Sequence, residues 1–197
     1  VIVGDVVELS GCFDREVYDC VSRIEEAHLF EPPQCWIDGI FNMGPVSFRP
    51  YQRVAFNPIK PGQIGKTVHL APVNLTIDGT AVEISPINES DKKTLLKESW
   101  SADLVANTIS NEGDIPSAFG FVARLDGRVI GGVGCYTVYA TGVEVQIDTR
   151  DGYRRRGVAT ELAKRMVVEC KNRSLECHWD AMNKESVTLA RKVGFER

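Results

Sequence analysis

The 197 residues carry 43% apolar and 25% charged side chains with a net charge of −4, which excludes a mainly disordered chain and suits one substantial core or a domain with a sizeable extension. The acidic balance argues against non-specific nucleic-acid binding as the main activity. No apolar run approaches the roughly 18 residues of a membrane span and Val1 begins no recognisable signal peptide, so the expected compartment is the cytoplasm.

Up to about residue 80 the chain reads as an accessory region. Residues 15–28, REVYDCVSRIEEAH, can form one helix. Most of the prolines fall between Pro32 and Pro86, and in EPPQCW and FNPIKPGQIG they favour short strands and turns over long helices. From Thr80 the signals sharpen. TAVEISPI alternates as a strand does, and Ser90 is placed to cap a helix through DKKTLLKESW that continues into SADLVANTIS. AFGFVARL and RVIGGVGCYTVY flank Asp126-Gly127, a strong hairpin signal between two β-rich runs. A turn at ATG leads into VEVQIDT, which makes three consecutive antiparallel strands.

The stretch DGYRRRGVATEL then opens a helix of about four turns. Val158, Leu162, Met166 and Cys170 recur every four residues with Ala159, Ala163 and Val167 beside them, while Glu161, Lys164, Arg165 and Lys171 fall elsewhere. LECHWDA reads as a buried strand, Asn183 as the cap of KESVTLARKV, and Gly194 as the residue just past its end. VEVQID must therefore reach LECHWDA by a parallel crossover through the long helix. The expected class is α/β of the α+β kind, with an accessory region of uncertain fold at 1–79 and a main domain at 80–197.

A helix that begins near Arg156 presents unpaired N–H groups and the positive end of its dipole, which together make an anion site. Gly157 lets a ligand approach the backbone, Ala159 is the next smallest choice, and Arg154, Arg155 and Arg156 can add charge-assisted contacts to phosphate. A solvated basic face is the plain alternative, but cations at a helix N-terminus are disfavoured unless an anion joins them.

Rival motifs fail on their own spacing. PGQIGKT ends like a phosphate-binding Gly-Lys-Thr loop, but Lys60 stands where that loop needs glycine, and Pro72 falls where its helix should run. Cys177 and His178 are strand neighbours and point to opposite faces, which precludes a simple dyad. His178 and Asp180 share a face, yet no serine or further ligand accompanies them, so structural roles are expected. With only His28 and His69 besides, no metal is expected. The six cysteines form no C-x-x-C pair and read as reduced thiols, mostly core filler.

Arg154-x-x-Gly157-x-Ala159, directly after a strand, resembles the R/Q-x-x-G-x-G/A pyrophosphate loop of the GNAT N-acetyltransferase superfamily. Asn183, Ser186, Leu189, Lys192, Gly194 and Phe195 resemble that family's N-x-x-A-x-x-L-Y-x-K-x-G-F helix, and the resemblance spans about residues 80 to 197. EVQIDTRDGYRRRGVAT with WDAMNKESVTLARKVGF looks like the branch that includes zwittermicin A resistance acetyltransferases.

The resemblance implies a mixed, mostly antiparallel twisted sheet flanked by helices, and direct acetyl transfer from acetyl-CoA to a primary amine of a small, antibiotic-like molecule. The implied coenzyme contacts are Arg154, Arg155, Arg156, Gly157, Val158, Ala159 and Thr160 at the loop, Gln146, Ile147 and Asp148 on the preceding strand, and Asn183 and Ser186. That strand would supply the backbone N–H that polarises the thioester, at the place where family members splay from the next strand. Glu144 lies where several members place a catalytic glutamate; alternation puts Glu144, Gln146 and Asp148 on one face, so Asp148 is the reserve base. That Glu144 merely faces solvent stays open.

Two departures stand out. Ala190 replaces the tyrosine that serves many members as general acid, with Tyr136, Tyr139 and Tyr153 as unranked substitutes, and the sequence ends at Arg197, before the usual last two strands. They motivate the alternative of a non-catalytic acyl-CoA-binding module. No nucleic acid or membrane partner is expected, and a homodimer is left open.

Overall fold

Residues 2–3, 6–9, 11–23, 28–30, 32–44, 53–63, 74–105 and 118–197 are described by a computed structural model. The chain divides into two units, Val1–Tyr51 and Gln52–Arg197.

In the first unit β1 (Ile2–Val3) runs antiparallel to β2 (Val6–Glu8), which pairs in parallel with β3 (His28–Phe30). The Asp14 carboxylate caps α1 (Arg15–Val21) by accepting from the N–H groups of Glu16 and Val17 at 2.9 and 3.1 Å. The helix expected over 15–28 thus ends at Val21. His28 belongs to the ladder with β2, and residues 24–27 lie outside the described residues. EPPQCW, expected as strand and turn, instead opens α2 (Gln34–Met43) with Pro33 as N-cap, because a helix start tolerates a fixed φ and a missing N–H. Trp36 and Ile40 of α2 join Leu9 and Val21 in a small core.

The second unit begins with short pieces, as its prolines predict: β4 (Val54–Ala55), a bridge at Ile59 and a 3-10 turn at Pro61–Gln63. Lys66, Thr67, His69 and Pro72 lie outside the described residues. TAVEISPI is two strands. Thr80–Ala81 (β6) closes a hairpin with Thr76–Ile77 (β5), and β7 (Glu83–Pro86) enters the main sheet. The hairpin turn is Asp78-Gly79, with φ of 51° and 85°, a second Asp-Gly signal that the sequence reading passed over.

Asn88, not Ser90, caps α3 (Glu89–Leu95). Its side chain accepts from Asp91 N–H at 2.9 Å while the Asp91 carboxylate accepts from Asn88 N–H at 3.0 Å. The expected continuation into SADLVANTIS is a 3-10 turn at Ala102–Leu104, and residues 106–117 lie outside the described residues.

Then β8 (Gly120–Leu125), β9 (Arg128–Tyr139) and β10 (Gly142–Thr149) form the antiparallel meander, followed by α4 (Val158–Asn172), β11 (Glu176–His178), β12 (Asp180–Ala181) and α5 (Lys184–Val193). The five-stranded sheet has the order β11-β10-β9-β8-β7, antiparallel except for β10 with β11. This is the mixed, mostly antiparallel sheet flanked by helices.

The core lies between α4 and the sheet. Val158, Leu162, Met166, Val167 and Cys170 bury the face that their spacing defines, against Ile130, Val133 and Val143. Phe56, Ile59 and Ile77 belong to the same core, so the boundary expected at 79/80 falls inside a unit that begins at Gln52. On β9 the run Gly131, Gly132, Gly134 allows close approach. A Cβ on Gly131 would meet Val158 Cγ1 at 2.8 Å, and one on Gly134 would meet the Leu104 carbonyl oxygen at 2.0 Å. Backbone cannot yield as a side-chain tip can. Gly134→Ala should therefore destabilise the protein by about 2 kcal/mol or more in denaturant melts, and an unchanged midpoint would contradict this packing.

Candidate active site

The loop between β10 and α4 is a chain of reversals. Arg150 N–H makes the last ladder bond, to Ile130 O at 2.9 Å, and Tyr153 N–H turns back to Arg150 O at 3.1 Å. Gly152, Arg155 and Gly157 have φ of 87°, 61° and 90°. The positive φ values at 155 and 157 bracket Arg156, the alternation of hand found where successive N–H groups form an anion-binding nest. An arginine in the left-handed region is uncommon and is held only where the surroundings demand it.

Gly157 is the N-cap, and the first helical bond runs from Glu161 N–H to Gly157 O at 3.2 Å. The N–H groups of Val158, Ala159 and Thr160 consequently have no intrahelical acceptor. The Val158 side chain is buried, so this residue offers the loop only its backbone.

The three arginines differ. Arg154 Nε donates to Thr149 O at 3.1 Å and lies 3.2 Å from Asp151, an exposed pair that holds it weakly. Arg156 reaches Asp78, in the β5–β6 turn, at 2.8 Å. Arg155 has no ion-pair partner among the described residues. Asp78 was missed from the sequence, because its only signal was the turn that places it.

The parallel register runs Gly142↔Glu176, Val143↔Cys177 and Glu144↔His178, and there it stops. Beyond Glu144, the residues Val145–Thr149 have ladder partners on β9 alone among the described residues. Since Arg150 N–H faces β9, alternation turns the N–H groups of Val145, Ile147 and Thr149 the other way, toward the opening beside β11. Of the segment Gln146–Asp148, Ile147 is thus the residue whose N–H faces that opening. Gln146 and Asp148 share the opposite face of the strand from Ile147, joined by a 2.8 Å bond from Gln146 Nε2 to Asp148 Oδ2.

Glu144 lies at the edge of the opening. One carboxylate oxygen, Oε1, is buried without a hydrogen-bond partner. Burial pushes its pKa up to about 7, assisted by the neighbouring Asp180 carboxylate and opposed by a bond from Asp180 N–H and by Arg53. Asp148 is raised too, chiefly by burial, against its bond from Gln146. Glu144 as a whole is half-buried, with one carboxylate oxygen enclosed.

Asn183 caps α5, accepting from Ser186 N–H at 2.8 Å, and the Ser186 hydroxyl accepts from Trp179 Nε1 at 3.0 Å. Both side chains thus carry fold-holding bonds at the expected coenzyme positions. Ala190 is fully buried. Of the three tyrosines, Tyr139 shares Glu144's surroundings: burial, then Glu144 and Glu176, hold its hydroxyl in the protonated form well above the usual range. Cys177 is buried while His178, on the other face, lies 3.3 Å from Glu176. Among the described residues no cluster of three or more His, Cys, Asp or Glu is placed to hold a metal, and no helix is long and apolar enough to cross a membrane.

A family model described as GNAT acetyltransferase matches residues 23–197. The chain belongs to the GNAT acetyltransferase family. A GCN5-related N-acetyltransferase-like protein from Streptococcus suis 89/1591 is 28% identical, aligning over 97% of this chain and 75% of its own with a TM-score of 0.69. Two more distant structures share the fold alone. A functionally unknown conserved protein from Staphylococcus epidermidis ATCC 12228 is 11% identical over 91% of this chain and 73% of its own, with a TM-score of 0.53. A Drosophila protein is 13% identical over 93% and 63%, with a TM-score of 0.57. No curated protein matches the chain. GNAT acetyltransferases use acetyl-CoA, so the loop and the opening are to be considered as the two ends of a coenzyme site.

The Glu144 environment has a consequence for stability. A carboxyl with a pKa of about 7 when folded and about 4.3 when unfolded binds more protons in the native state between those values, so its ionisation costs stability as pH rises through that window. Glu144→Gln should therefore be more stable than the parent by roughly 2–3 kcal/mol at pH 8 and by much less at pH 5. Denaturant melts at both pH values check this; an advantage that does not change with pH would contradict the buried carboxyl.

Proposed function

We propose that this GNAT protein transfers an acetyl group from acetyl-CoA directly to a primary amine of a small molecule in the cytosol, with Glu144 as general base. The observation that carries the reading is Glu144's position at the point where β10 parts from β11, with one carboxylate oxygen enclosed.

The ammonium of a typical primary amine has a pKa of about 10.4. Moving its proton to an ordinary carboxylate is uphill by about 8 kcal/mol, and to one with a pKa of about 7 by only about 5 kcal/mol. Glu144 accepts that proton, directly or through water, and the freed nitrogen lone pair attacks the acetyl carbonyl. Ile147 N–H, facing the opening, stabilises the charge that develops on the carbonyl oxygen. The C–S bond then breaks, the thiolate leaves, and the attacking nitrogen releases its second proton to solvent, leaving the neutral amide.

With Ala190 in place of tyrosine no acid is assigned to that sulfur. A thiol of pKa about 8.5 departs near neutral pH with only about 2 kcal/mol of protonation driving force forgone. Acetyl-CoA supplies the activated acyl group, and its pyrophosphate is assigned to the N–H groups at 155–160, with Arg154, Arg155 and Arg156 around them. Gly157 fits this role: a Cβ there would lie 3.3 Å from Leu75 Cδ1, and its φ of 90° disfavours any side chain. Asp148 is the reserve base, and Gln146, Asn183 and Ser186 remain assigned as coenzyme contacts at the edges of the site.

The acceptor class, an antibiotic-like amine, rests on the likeness of the 144–160 and 179–195 segments to the zwittermicin A resistance branch. The buried Ala190 favours a second reading, an acyl-CoA-binding module without turnover. Thiol release from acetyl-CoA over a panel of amines separates the two. Turnover supports the enzyme, coenzyme binding without turnover the module, and absence of binding refutes both.

Gly157→Glu places a side chain and a negative charge in the phosphate cradle. It should weaken acetyl-CoA binding by at least about 100-fold in calorimetry, with unchanged affinity refuting the loop assignment. Glu144→Gln should lower kcat by about 100-fold or more near neutral pH while changing acetyl-CoA affinity little. Parental activity across pH 6 to 9 in that variant would remove Glu144 as base.

A further inference from the structure

A second group of arginines lies away from the loop before α4. The β8–β9 hairpin, α3 with the turn after it, and the end of β10 border a cavity of about 320 Å³, and Arg124, Arg128, Arg150, Asp91 and Glu98 line it. Val129, also in its wall, packs on Leu95, Leu104, Val105 and Val122 and not on the core under α4. The cavity therefore opens on the face of the sheet that α4 does not cover.

Two of the three guanidinium groups are held in place. Arg124 donates to Asp91 Oδ1 and to Ser85 Oγ, and Asp91 is itself fixed, because its other oxygen closes the capping box of α3. Arg150 donates through Nη2 to Glu98, whose Oε2 also accepts from Trp100 Nε1 at 2.6 Å, and its guanidinium lies 5.3 Å from the Trp100 ring centre. These bonds leave donors over. Arg150 Nη1 makes no hydrogen bond among the described residues, and the Arg128 side chain has neither a hydrogen bond nor an ion pair there.

The lining thus sets three permanent cations against two carboxylates, a local excess of one positive charge in a chain whose net charge is −4. Like charges gathered in a partly desolvated space repel more strongly than in water, and an anion between them relieves the repulsion. Tying α3 and the turn after it to the sheet accounts for Arg124 and Arg150. It gives Arg128 nothing to do. Guanidinium forks match the paired oxygens of a carboxylate or a phosphate, and the volume is that of a small ligand.

We propose that this cavity is a second anion site, which takes a small oxyanion, carboxylate or phosphate, between Arg128 and Nη1 of Arg150, with Arg124 adding its charge. None of these residues is used by the proposed acetyl transfer, so the two stand or fall separately.

NMR on protein carrying isotopically labelled arginine reads the Nε–Hε signals, those of Arg128 and Arg150 being assigned by their loss in Arg128→Gln and Arg150→Lys. Titration with inorganic phosphate and, separately, with citrate at constant ionic strength should shift both signals along one saturable curve. The tighter of the two curves tells which oxyanion the cavity suits. Arg128→Gln, at an exposed hairpin position, should weaken that binding about tenfold as read at Arg150, and Arg128→Lys should recover part of it. Gly157→Glu, which closes the loop before α4 to anions, should leave the curve where it is. Signals that stay fixed or drift without saturating overturn the site, as does a curve that Arg128→Gln leaves unchanged or that Gly157→Glu abolishes.

Discussion

Parallel pairing between β10 and β11 lasts three residues, and the chemistry of the molecule depends on where it ends. Trp179 stands at the break. Its indole is buried against Phe195, with ring centres 5.2 Å apart, and bonded to Ser186 of α5, while its carbonyl accepts from Phe56 on the β4 side. From that point β12 pairs with β4 and no longer with β10. The N–H groups of Val145, Ile147 and Thr149 are left without a strand on that side among the described residues, and unpaired backbone donors at such an edge call for a ligand or water. The same break puts Glu144, the last paired residue, beside the opening.

The loop that precedes α4 and the Glu144 carboxylate are separated along β10. A strand rises about 3.3 Å per residue, so Glu144 and Arg150 are about 20 Å apart along it. A ligand that engages both must be long, with its negative charge at one end and its reacting group at the other. Acetyl-CoA has this form, with a pantetheine arm between pyrophosphate and thioester, and a backbone edge of spaced N–H groups suits an amide-bearing arm. The fold sets this separation: α4 must cross from the end of β10 back to the start of β11, and this crossover places its N-terminus just after the end of β10.

What the sequence made legible follows from how local each signal is. The face of α4, the Asp126-Gly127 hairpin, the Asn183 cap and the parallel crossover are written within a few residues of where they act. The Arg154–Ala159 spacing, read in that setting, located the loop. What stayed illegible was of two kinds. Competing local signals misled: Pro33 starts a helix in a segment whose composition suggests turns, and Asn88 wins over Ser90 because only Asn88 has Asp91 three residues on to close the reciprocal bond. Long-range partners left no trace at all. Arg53 is 127 residues from Asp180 and Asp78 is 78 residues from Arg156, so neither contact has a spacing to read. The local setting of the candidate residues was therefore accessible while their long-range partners were not.

Those partners bear on why a carboxylate is kept under cover. A buried charge without full hydrogen bonding destabilises a fold, and an apolar or amide side chain at 144 would relieve that cost. Function supplies the counterweight, since a base whose pKa lies near the working pH is both ionised often enough to act and basic enough to take the proton. Burial, and after it the like charge of Asp180, push the carboxyl up. Arg53 and the Asp180 N–H pull it back. The balance at about 7 is thus a sum of opposed contributions from burial, from Asp180 on β12 and from Arg53 just ahead of β4. Residues 53–59, remote in sequence from the loop and from Glu144, accordingly contribute to the surroundings of Glu144 as well as to the core.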